Sequence, residues 1–251
     1  MELTKNIIKF IYSLGQKKNR VEHNCFVVEG TKAVRDTWDY FDCRMIVATN
    51  SWYEQFGHSG HLDKIYIATK SQMERVSQFS TPPDVVAVYE MPKYELNIKE
   101  IESGLNIILD NVQDPGNLGT IIRVADWFGV KHIICSDTTV DLYNHKVIQA
   151  TMGAISRVQV HYVDLEQFFA RDWNLPVYGT YLDGANIYQQ KLSDRGFIIF
   201  GNEGRGISPK LAEFVTDRLL IPSYPKDCET SESLNVSIAT AITLSEFRRE
   251  G

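Results

Sequence analysis

The chain has 251 residues, of which 43% are hydrophobic and 23% charged, and its net charge is −6. These values are ordinary for a soluble globular protein with one large α/β domain or two smaller ones. No apolar run is long enough to cross a membrane, and the four cysteines lie too far apart for a disulfide framework or a zinc site. We therefore expect a cytoplasmic protein with no membrane association and no metal.

The positive charges are concentrated near the N-terminus. Residues 1–35 contain seven lysines or arginines and three acidic residues, whereas the rest of the chain contains 19 basic and 29 acidic residues. A basic end on an acidic body is typical of a protein that presents one face to RNA. A helix with an ordinary solvated face would carry the same charges, so charge alone leaves both interpretations open.

The first part of the chain predicts a small α/β domain over residues 1–95. Apolar residues at helical spacing predict a helix over 4–18, and a second helix runs from Thr31 to about Trp38. Short apolar runs predict strands at 25–30, 44–49, 64–69 and 85–90. Residues 91–104 mix proline, glycine and charge, which is typical of a short helix or a linker, and we place a linker at 96–104.

From Leu105 onward the pattern predicts a second domain over 105–251. Continuous apolar runs, typical of strands covered on both faces, occur at 105–110, 131–135, 176–180, 196–200 and 218–222. Helices are predicted at 117–128, 144–152, 164–171, 208–214 and 234–249. This alternation predicts a mostly parallel sheet, and ligands of such sheets bind beyond the carboxyl ends of the strands.

Three polar loops follow strands of this second domain. In the first, Asn117 is a candidate helix cap, and Arg123 lies within an otherwise apolar helical stretch, where a charge must reach solvent, pair with an acid or serve a function. In the second, Glu203 lies among glycines that allow a close backbone approach to a ligand, or form only a tight turn. In the third, Ser233 or Asn235 is expected to cap the last helix.

Taken together and in this order, the loops resemble the three motifs of the SpoU (TrmH) family of RNA 2′-O-ribose methyltransferases, in the SPOUT superfamily. The matching residues are Asn117, Gly119 and Arg123 in the first motif, Gly201, Glu203 and Gly206 in the second, and Ile221, Pro222, the stretch 233–237 and Ala239 in the third. The resemblance covers about residues 105–251. More weakly, residues 1–95 look like the small α/β (L30e-like) RNA-binding domain that often precedes this catalytic domain.

The resemblance implies an α/β domain with a deep trefoil knot, a homodimer, and methyl transfer from S-adenosyl-L-methionine (AdoMet) to a ribose 2′-hydroxyl of structured RNA, with rRNA favoured over tRNA. It implies cofactor contacts at Thr180, Gly201, Ile221 and Leu234. It implies a reacting region formed by Asn117, Arg123, Glu203, Ser233 and Asn235. One departure is the loop between Pro222 and Ser233, which is longer than the family pattern and lacks its glycine. The resemblance therefore does not define the shape of the adenine side of the pocket.

The residue types suit this reaction. A guanidinium stays protonated, so Arg123 is a poor base, and we hypothesise that it orients or polarises the 2′-hydroxyl or its neighbouring phosphate. Glu203, between glycines, is better suited to fixing the loop or the substrate by hydrogen bonds than to acting as a base.

Two other function classes make different predictions. A non-catalytic RNA-binding protein on the same fold would differ in having no affinity for the cofactor. An enzyme with a nucleotide-type cofactor on an ordinary doubly wound sheet would carry an early G-x-G-x-x-G fingerprint with an acidic residue about 20 positions later. The chain lacks that pattern.

Overall fold

The structure is a computed structural model that describes residues 3–57, 64–225 and 231–249. The chain divides into two compact units. Unit 1 consists of Met1–Lys93 and Asp141–Ser156, and unit 2 consists of Tyr94–Val140 and Arg157–Gly251. The segment Asp141–Ser156 thus lies inside the predicted second domain in sequence but packs as part of unit 1.

Unit 1 is a four-stranded sheet with helices, as its alternating pattern predicted. Its strands, numbered along the chain, are β1 (Cys25–Glu29), β2 (Cys43–Thr49), β3 (Ile65–Ala68) and β4 (Val85–Glu90). Its described helices are α1 (Lys5–Ser13), α2 (Lys17–His23), α3 (Thr31–Thr37), α4 (Asn50–Phe56), α5 (Lys70–Val76) and α8 (His145–Thr151). The strand order is β1-β4-β2-β3, with β4 antiparallel to both of its neighbours and β2 parallel to β3.

The predicted helix over 4–18 is wrong, because the structure has two helices there. The Arg20 guanidinium donates hydrogen bonds to the carbonyl oxygens of Leu14 (2.8 Å) and Gly15 (2.9 Å), so these groups have partners without a continuous helix. Arg20 is buried and also pairs with Asp141. A Cβ at Gly15 would lie 2.7 Å from the Gln78 side chain, so a glycine lets these two segments meet.

Helix α1 is amphipathic in the manner its sequence predicts. Ile8 and Ile11 are buried in the core of unit 1. Lys5, Lys9 and Tyr12 are exposed and share another face, because they are spaced by four and three residues. This arrangement buries the apolar stripe and leaves the basic one in solvent.

Unit 2 is built on a six-stranded sheet in which every neighbouring pair is parallel, which confirms the predicted mostly parallel fold class. Its strands are β5 (Leu105–Leu109), β6 (His132–Ser136), β7 (Gln159–Val163), β8 (Val177–Asn186), β9 (Gly196–Phe200) and β10 (Asp217–Leu220), in the order β10-β8-β9-β5-β6-β7. Its described helices are α6 (Ile98–Ser103), α7 (Pro115–Trp127), α9 (Leu165–Phe169), α10 (Pro209–Ala212) and α11 (Val236–Phe247). Strand β7 was missed because polar residues interrupt its apolar run.

Two features of unit 2 shape the edge where its strands end. The pairing of β10 with β8 shifts register, since Arg218 faces Gly179 whereas Leu219 faces Ala185, so residues 180–184 leave the ladder as an excursion. Helix α11 follows β10 and packs against α7. None of the helices in the described ranges is both long enough and apolar enough to cross a bilayer.

Candidate active site

A cavity of about 550 Å³ lies in unit 2, beside residues 180–183 within β8 and at the carboxyl ends of β9 and β10. All four residues predicted to contact the cofactor line it, as do two of the predicted reacting residues: Thr180, Gly201, Ile221 and Leu234, together with Glu203 and Ser233. Asn117, Arg123 and Asn235 are not part of its lining. The second and third of the loops that the sequence singled out therefore line this cavity, and the roles of the individual residues stay predictions.

The loop after β9 folds back on itself next to the cavity. The backbones of Asn202 and Gly206 exchange two hydrogen bonds of 3.0 and 2.9 Å, and Gly206 has a positive φ of 70°. A Cβ at Gly201 would lie only 2.1 Å from the carbonyl carbon of Gly206, a separation that no side chain tolerates. The glycine pattern thus forms a tight turn and also leaves backbone facing the cavity.

A hydrogen-bonded chain joins residues of all three motifs. The side-chain amide of Asn117 donates to Oε1 of Glu203 at 3.0 Å, and its carbonyl oxygen accepts from Nδ2 of Asn235 at 2.9 Å. Asn117 is buried, so both functions of its amide are used inside the protein. Replacing Asn117 by an aspartate or a leucine would remove at least one of these bonds.

The helix caps at this edge differ in part from the prediction. Helix α7 is capped by Asp114, whose carboxylate accepts from the backbone N–H of Asn117 at 2.8 Å, so the predicted Asn117 cap is wrong. Asn235 caps α11 as predicted, accepting from the backbone N–H groups of Ser237 and Ile238. One asparagine therefore both starts the last helix and holds Asn117.

The carboxylate of Glu203 serves as a hydrogen-bond acceptor for the first loop. Besides the Asn117 amide it receives longer contacts from the backbone N–H groups of Asp114 (3.4 Å) and Gln113 (3.5 Å). Its neighbour Asn202 donates to the carbonyl oxygen of Asn111 at 2.8 Å. These contacts tie the loop after β9 to the loop after β5.

Arg123 has a different environment from the rest of the predicted reacting region. It is exposed on α7, while Ile121, Ile122 and Ala125 of the same helix are buried. It makes no hydrogen bond or ion pair with any residue in the described ranges. The charge thus reaches solvent, which removes the burial penalty that the apolar sequence around it suggested.

Sequence reasoning missed several residues of this edge. Tyr181 lines the cavity, and Asp110, buried at the end of β5, accepts from the backbone N–H of Ser208 at 2.7 Å. Asp110 ends one predicted strand and Tyr181 directly follows another, which was a usable signal, but neither falls in one of the three motifs. The cysteine at 228 lies outside the described residues, and Cys25, Cys43 and Cys135 form no disulfide.

Most of each of the two units matches a family model. Residues 104–245 match the model of the SpoU rRNA Methylase family, and residues 5–87 match the model of the MRM3-like substrate binding domain. The first match spans more than half of the chain.

Relatives match over almost the full length. The chain is 30% identical to the 23S rRNA (guanosine(2553)-2′-O)-methyltransferase RlmP of Bacillus subtilis, over 94% of this chain and 93% of the relative. A TrmH-family structure from Porphyromonas gingivalis superposes with a TM-score of 0.90 at 39% identity, covering 100% of both chains. The AdoMet-bound rRNA methyltransferase of Sinorhizobium meliloti has a TM-score of 0.83 at 30% identity, over 99% of this chain and 96% of that one. Motifs, fold and relatives agree, and the chain belongs to the SpoU rRNA methylase family of RNA 2′-O-methyltransferases.

Proposed function

We propose that this protein transfers the methyl group of AdoMet to a ribose 2′-hydroxyl of ribosomal RNA, with 23S rRNA as the first candidate. The observation that carries the proposal is the hydrogen-bonded chain from Glu203 through Asn117 to Asn235, which joins the three motifs beside one cavity. The rRNA specificity in the names of the B. subtilis and S. meliloti relatives supports the choice of substrate.

The cavity fits an adenosyl cofactor. Its volume of about 550 Å³ lies within the range of small-molecule sites, and apolar side chains such as Phe200, Leu219 and Leu234 offer surfaces for a flat base. The absence of a side chain at Gly201 lets the backbone approach a ligand closely. When bound there, AdoMet would supply an electrophilic methyl group on a sulfonium. Thr180, Gly201, Ile221 and Leu234 would hold its adenosyl part.

Arg123 is proposed to act on the RNA. Because its guanidinium is exposed and unpaired among the described residues, it is available to a phosphate or a ribose hydroxyl. A fixed positive charge beside the 2′-oxygen stabilises the negative charge that develops as the oxygen attacks. Glu203 is already engaged by the first loop, so we assign it to loop geometry, with Asn117, Ser233 and Asn235 completing the reacting region.

Unit 1 is proposed to bind the RNA through α1 and α2. Lys5, Lys9, Lys17 and Lys18 are exposed, and Tyr12 beside them is 56% exposed. Lys9 and Tyr12 border a cavity of about 380 Å³ whose other lining residues are Ser13, Gly15, Gln16, Asn19 and Gln78. Lysines attract phosphates, and an exposed tyrosine ring can stack on an unpaired base. We call these two helices the basic face.

A homodimer is also proposed. Trp127 of α7 is 84% exposed and Ile238 of α11 is 50% exposed, although such side chains are usually covered. The apolar residues of helix α11 are spread around the helix and do not form one stripe, which is typical of a helix with partners on several sides. Light scattering after gel filtration should give twice the chain mass for the wild type and the monomer mass for Trp127→Glu.

The trefoil knot and the cytoplasmic location implied by the family complete the proposal. What supports the knot is that residues 232–234, which follow β10 and precede α11 in the sequence, line the same cavity as the loop after β9. What supports the location is the rRNA substrate.

The experiment that tests the function is transfer of a radioactive methyl group from AdoMet to rRNA from cells lacking this gene, followed by mapping of 2′-O-methylation. Label at one ribose with the wild type, and none with rRNA already modified, is the expected result. A protein that binds rRNA but has no affinity for AdoMet would instead support the non-catalytic alternative.

A further inference from the structure

The excursion within β8 borders the cofactor cavity. Residues 180–184 leave the β8–β10 ladder, and four of them, from Thr180 to Asp183, line the cavity. A Cβ at Gly184 would lie 2.6 Å from the backbone of Leu219, so the excursion returns to the sheet in close contact with β10. Its conformation is therefore defined at both ends.

Arg218 of β10 holds the middle of this excursion. Its guanidinium carbon lies 3.6 Å from the centroid of the Tyr181 ring, and the same guanidinium pairs with the Asp183 carboxylate. A Cβ at Gly179 would lie 2.5 Å from the Tyr181 ring, so a glycine makes room for the ring beside the strand. Stacking on an aromatic face and pairing with a carboxylate use the planar guanidinium in two ways that a lysine cannot combine.

The hydroxyl of Tyr181 is left without a partner by this arrangement. Its oxygen is cut off from solvent and has no hydrogen bond to any residue in the described ranges. Burial raises the pKa of this phenol, and the nearby Arg218 opposes the shift, so the group is neutral and able both to donate and to accept. A buried polar group without a partner is unfavourable and rare, which indicates that something absent from the free chain completes it.

We propose that Tyr181 is a cofactor-binding residue, whose hydroxyl forms a hydrogen bond with the neutral adenosyl half of AdoMet, and that Arg218 is the positioning residue that holds its ring. The inference rests on the proposed function, because it places the ligand in the same cavity. The Arg218 guanidinium and the carboxylates of Asp183 and Asp110 all act on the charge state of the phenol, with opposite signs. Because the neutral hydroxyl can donate and accept, a ribose hydroxyl or an adenine nitrogen is a suitable partner.

The test compares ligand binding by calorimetry for the wild type, Tyr181→Phe and the control Tyr188→Phe. Tyr188 is a partly exposed tyrosine of the same unit that does not line the cavity. Loss of one hydrogen bond should weaken the binding of AdoMet and of S-adenosylhomocysteine about three- to tenfold, by the same factor for both. The control should bind like the wild type.

Arg218 is tested by a double-mutant cycle. Arg218→Lys and Arg218→Ala should each weaken AdoMet severalfold in the wild-type background but have little effect when Tyr181 is already phenylalanine, because the residue acts through the hydroxyl. A purely structural role for Arg218 would give the same loss in both backgrounds together with a lower melting temperature.

The outcomes separate the two proposals. If the wild type fails to bind AdoMet, both the proposed function and this inference are wrong. If the wild type binds and Tyr181→Phe binds within twofold of it, only the inference is wrong. If Tyr181→Phe binds both S-adenosylhomocysteine and adenosine more weakly than the wild type does, the adenosyl half is the contact. If it binds adenosine as tightly as the wild type does, that assignment is wrong.

Discussion

The two units hold their polar side chains in opposite ways. At the cavity of unit 2 the side chains are bonded to one another, as in the pair Asn117 and Glu203. On the basic face of unit 1 the lysines extend into solvent. Fixed hydrogen bonds define a geometry, which a cofactor and a reacting atom need, whereas mobile charges supply attraction to a polyanion of any shape. Substitutions in the two units should therefore disturb different steps.

The largest effect is expected from Arg123→Ala. Removal of a charge that stabilises the developing oxyanion should lower kcat about 10²- to 10³-fold and leave AdoMet affinity within about twofold. Arg123→Lys should restore little activity, because an ammonium cannot present the two-pronged geometry of a guanidinium. Single-turnover methylation and AdoMet calorimetry measure the two quantities separately.

The matched control for Arg123 is Arg195→Ala, which removes an exposed arginine of unit 2 outside the cavity lining. It should keep normal turnover. Near-normal turnover of Arg123→Ala would contradict its assignment to the reaction, and an equal loss in both variants would show that net charge is what matters.

A second, smaller effect is expected from Gly201→Ala. The added Cβ would lie 2.1 Å from the Gly206 carbonyl carbon, so the backbone of the loop must shift. We expect AdoMet to bind at least about tenfold more weakly and the free energy of unfolding to fall by about 1–3 kcal/mol. Gly204→Ala is the control in the same loop, because the nearest atom to its Cβ is 3.8 Å away. If the two variants had equal AdoMet affinities and equal free energies of unfolding, the steric explanation would be wrong.

Much of unit 2 could be predicted because its signals are local. Buried parallel strands appear as continuous apolar runs, and Asn235 before an apolar helix was identifiable as its cap. The bond between Asn117 and Asn235 could not be predicted, since it joins residues 118 positions apart. The competing cap, Asp114, was overlooked although it left a local signal, because Pro115 after it suits the first position of a helix.

Other parts of the structure depend on tertiary contacts that a sequence does not display. The break between α1 and α2 requires Arg20 to reach two carbonyl oxygens, while apolar spacing alone favours one long helix. The packing of Asp141–Ser156 with unit 1 likewise depends on distant partners, among them Arg20, which pairs with Asp141. Neither contact leaves a local pattern.

Acid should destabilise unit 2 through a buried histidine pair. Nδ1 of His132 lies 3.3 Å from Nε2 of His161, and Nε2 of His132 lies 3.2 Å from the Glu100 carboxylate. Burial, with help from His132, lowers the pKa of His161 to about 4. Because the folded pKa is below the unfolded value, the unfolded chain binds the extra proton first, and stability is lost as pH falls from about 6.5 towards 4.

Between pH 7 and 5 this loss should amount to about 1–2 kcal/mol. His161→Gln keeps a hydrogen-bonding group but cannot titrate, so its urea-unfolding free energy should change less over that interval. Identical pH dependence in the two proteins would show that the pair is not responsible. The pair lies at the start of β6 and within β7, away from the cavity lining, so AdoMet affinity per folded molecule should not change.

The smallest single effects are expected on the basic face. Lys5→Ala and Lys9→Ala should each reduce the slope of log affinity against log salt concentration by about 0.7–0.9 for rRNA, if each lysine contacts one phosphate. AdoMet binding should be unchanged, which is the reverse of the Gly201→Ala result. Lys99→Ala is the control, because Lys99 is exposed on α6, which precedes β5 and so lies at the opposite end of the strands from the cavity. If Lys99→Ala and Lys9→Ala give equal slopes of log affinity against log salt concentration, the affinity for RNA depends only on the total charge of the protein.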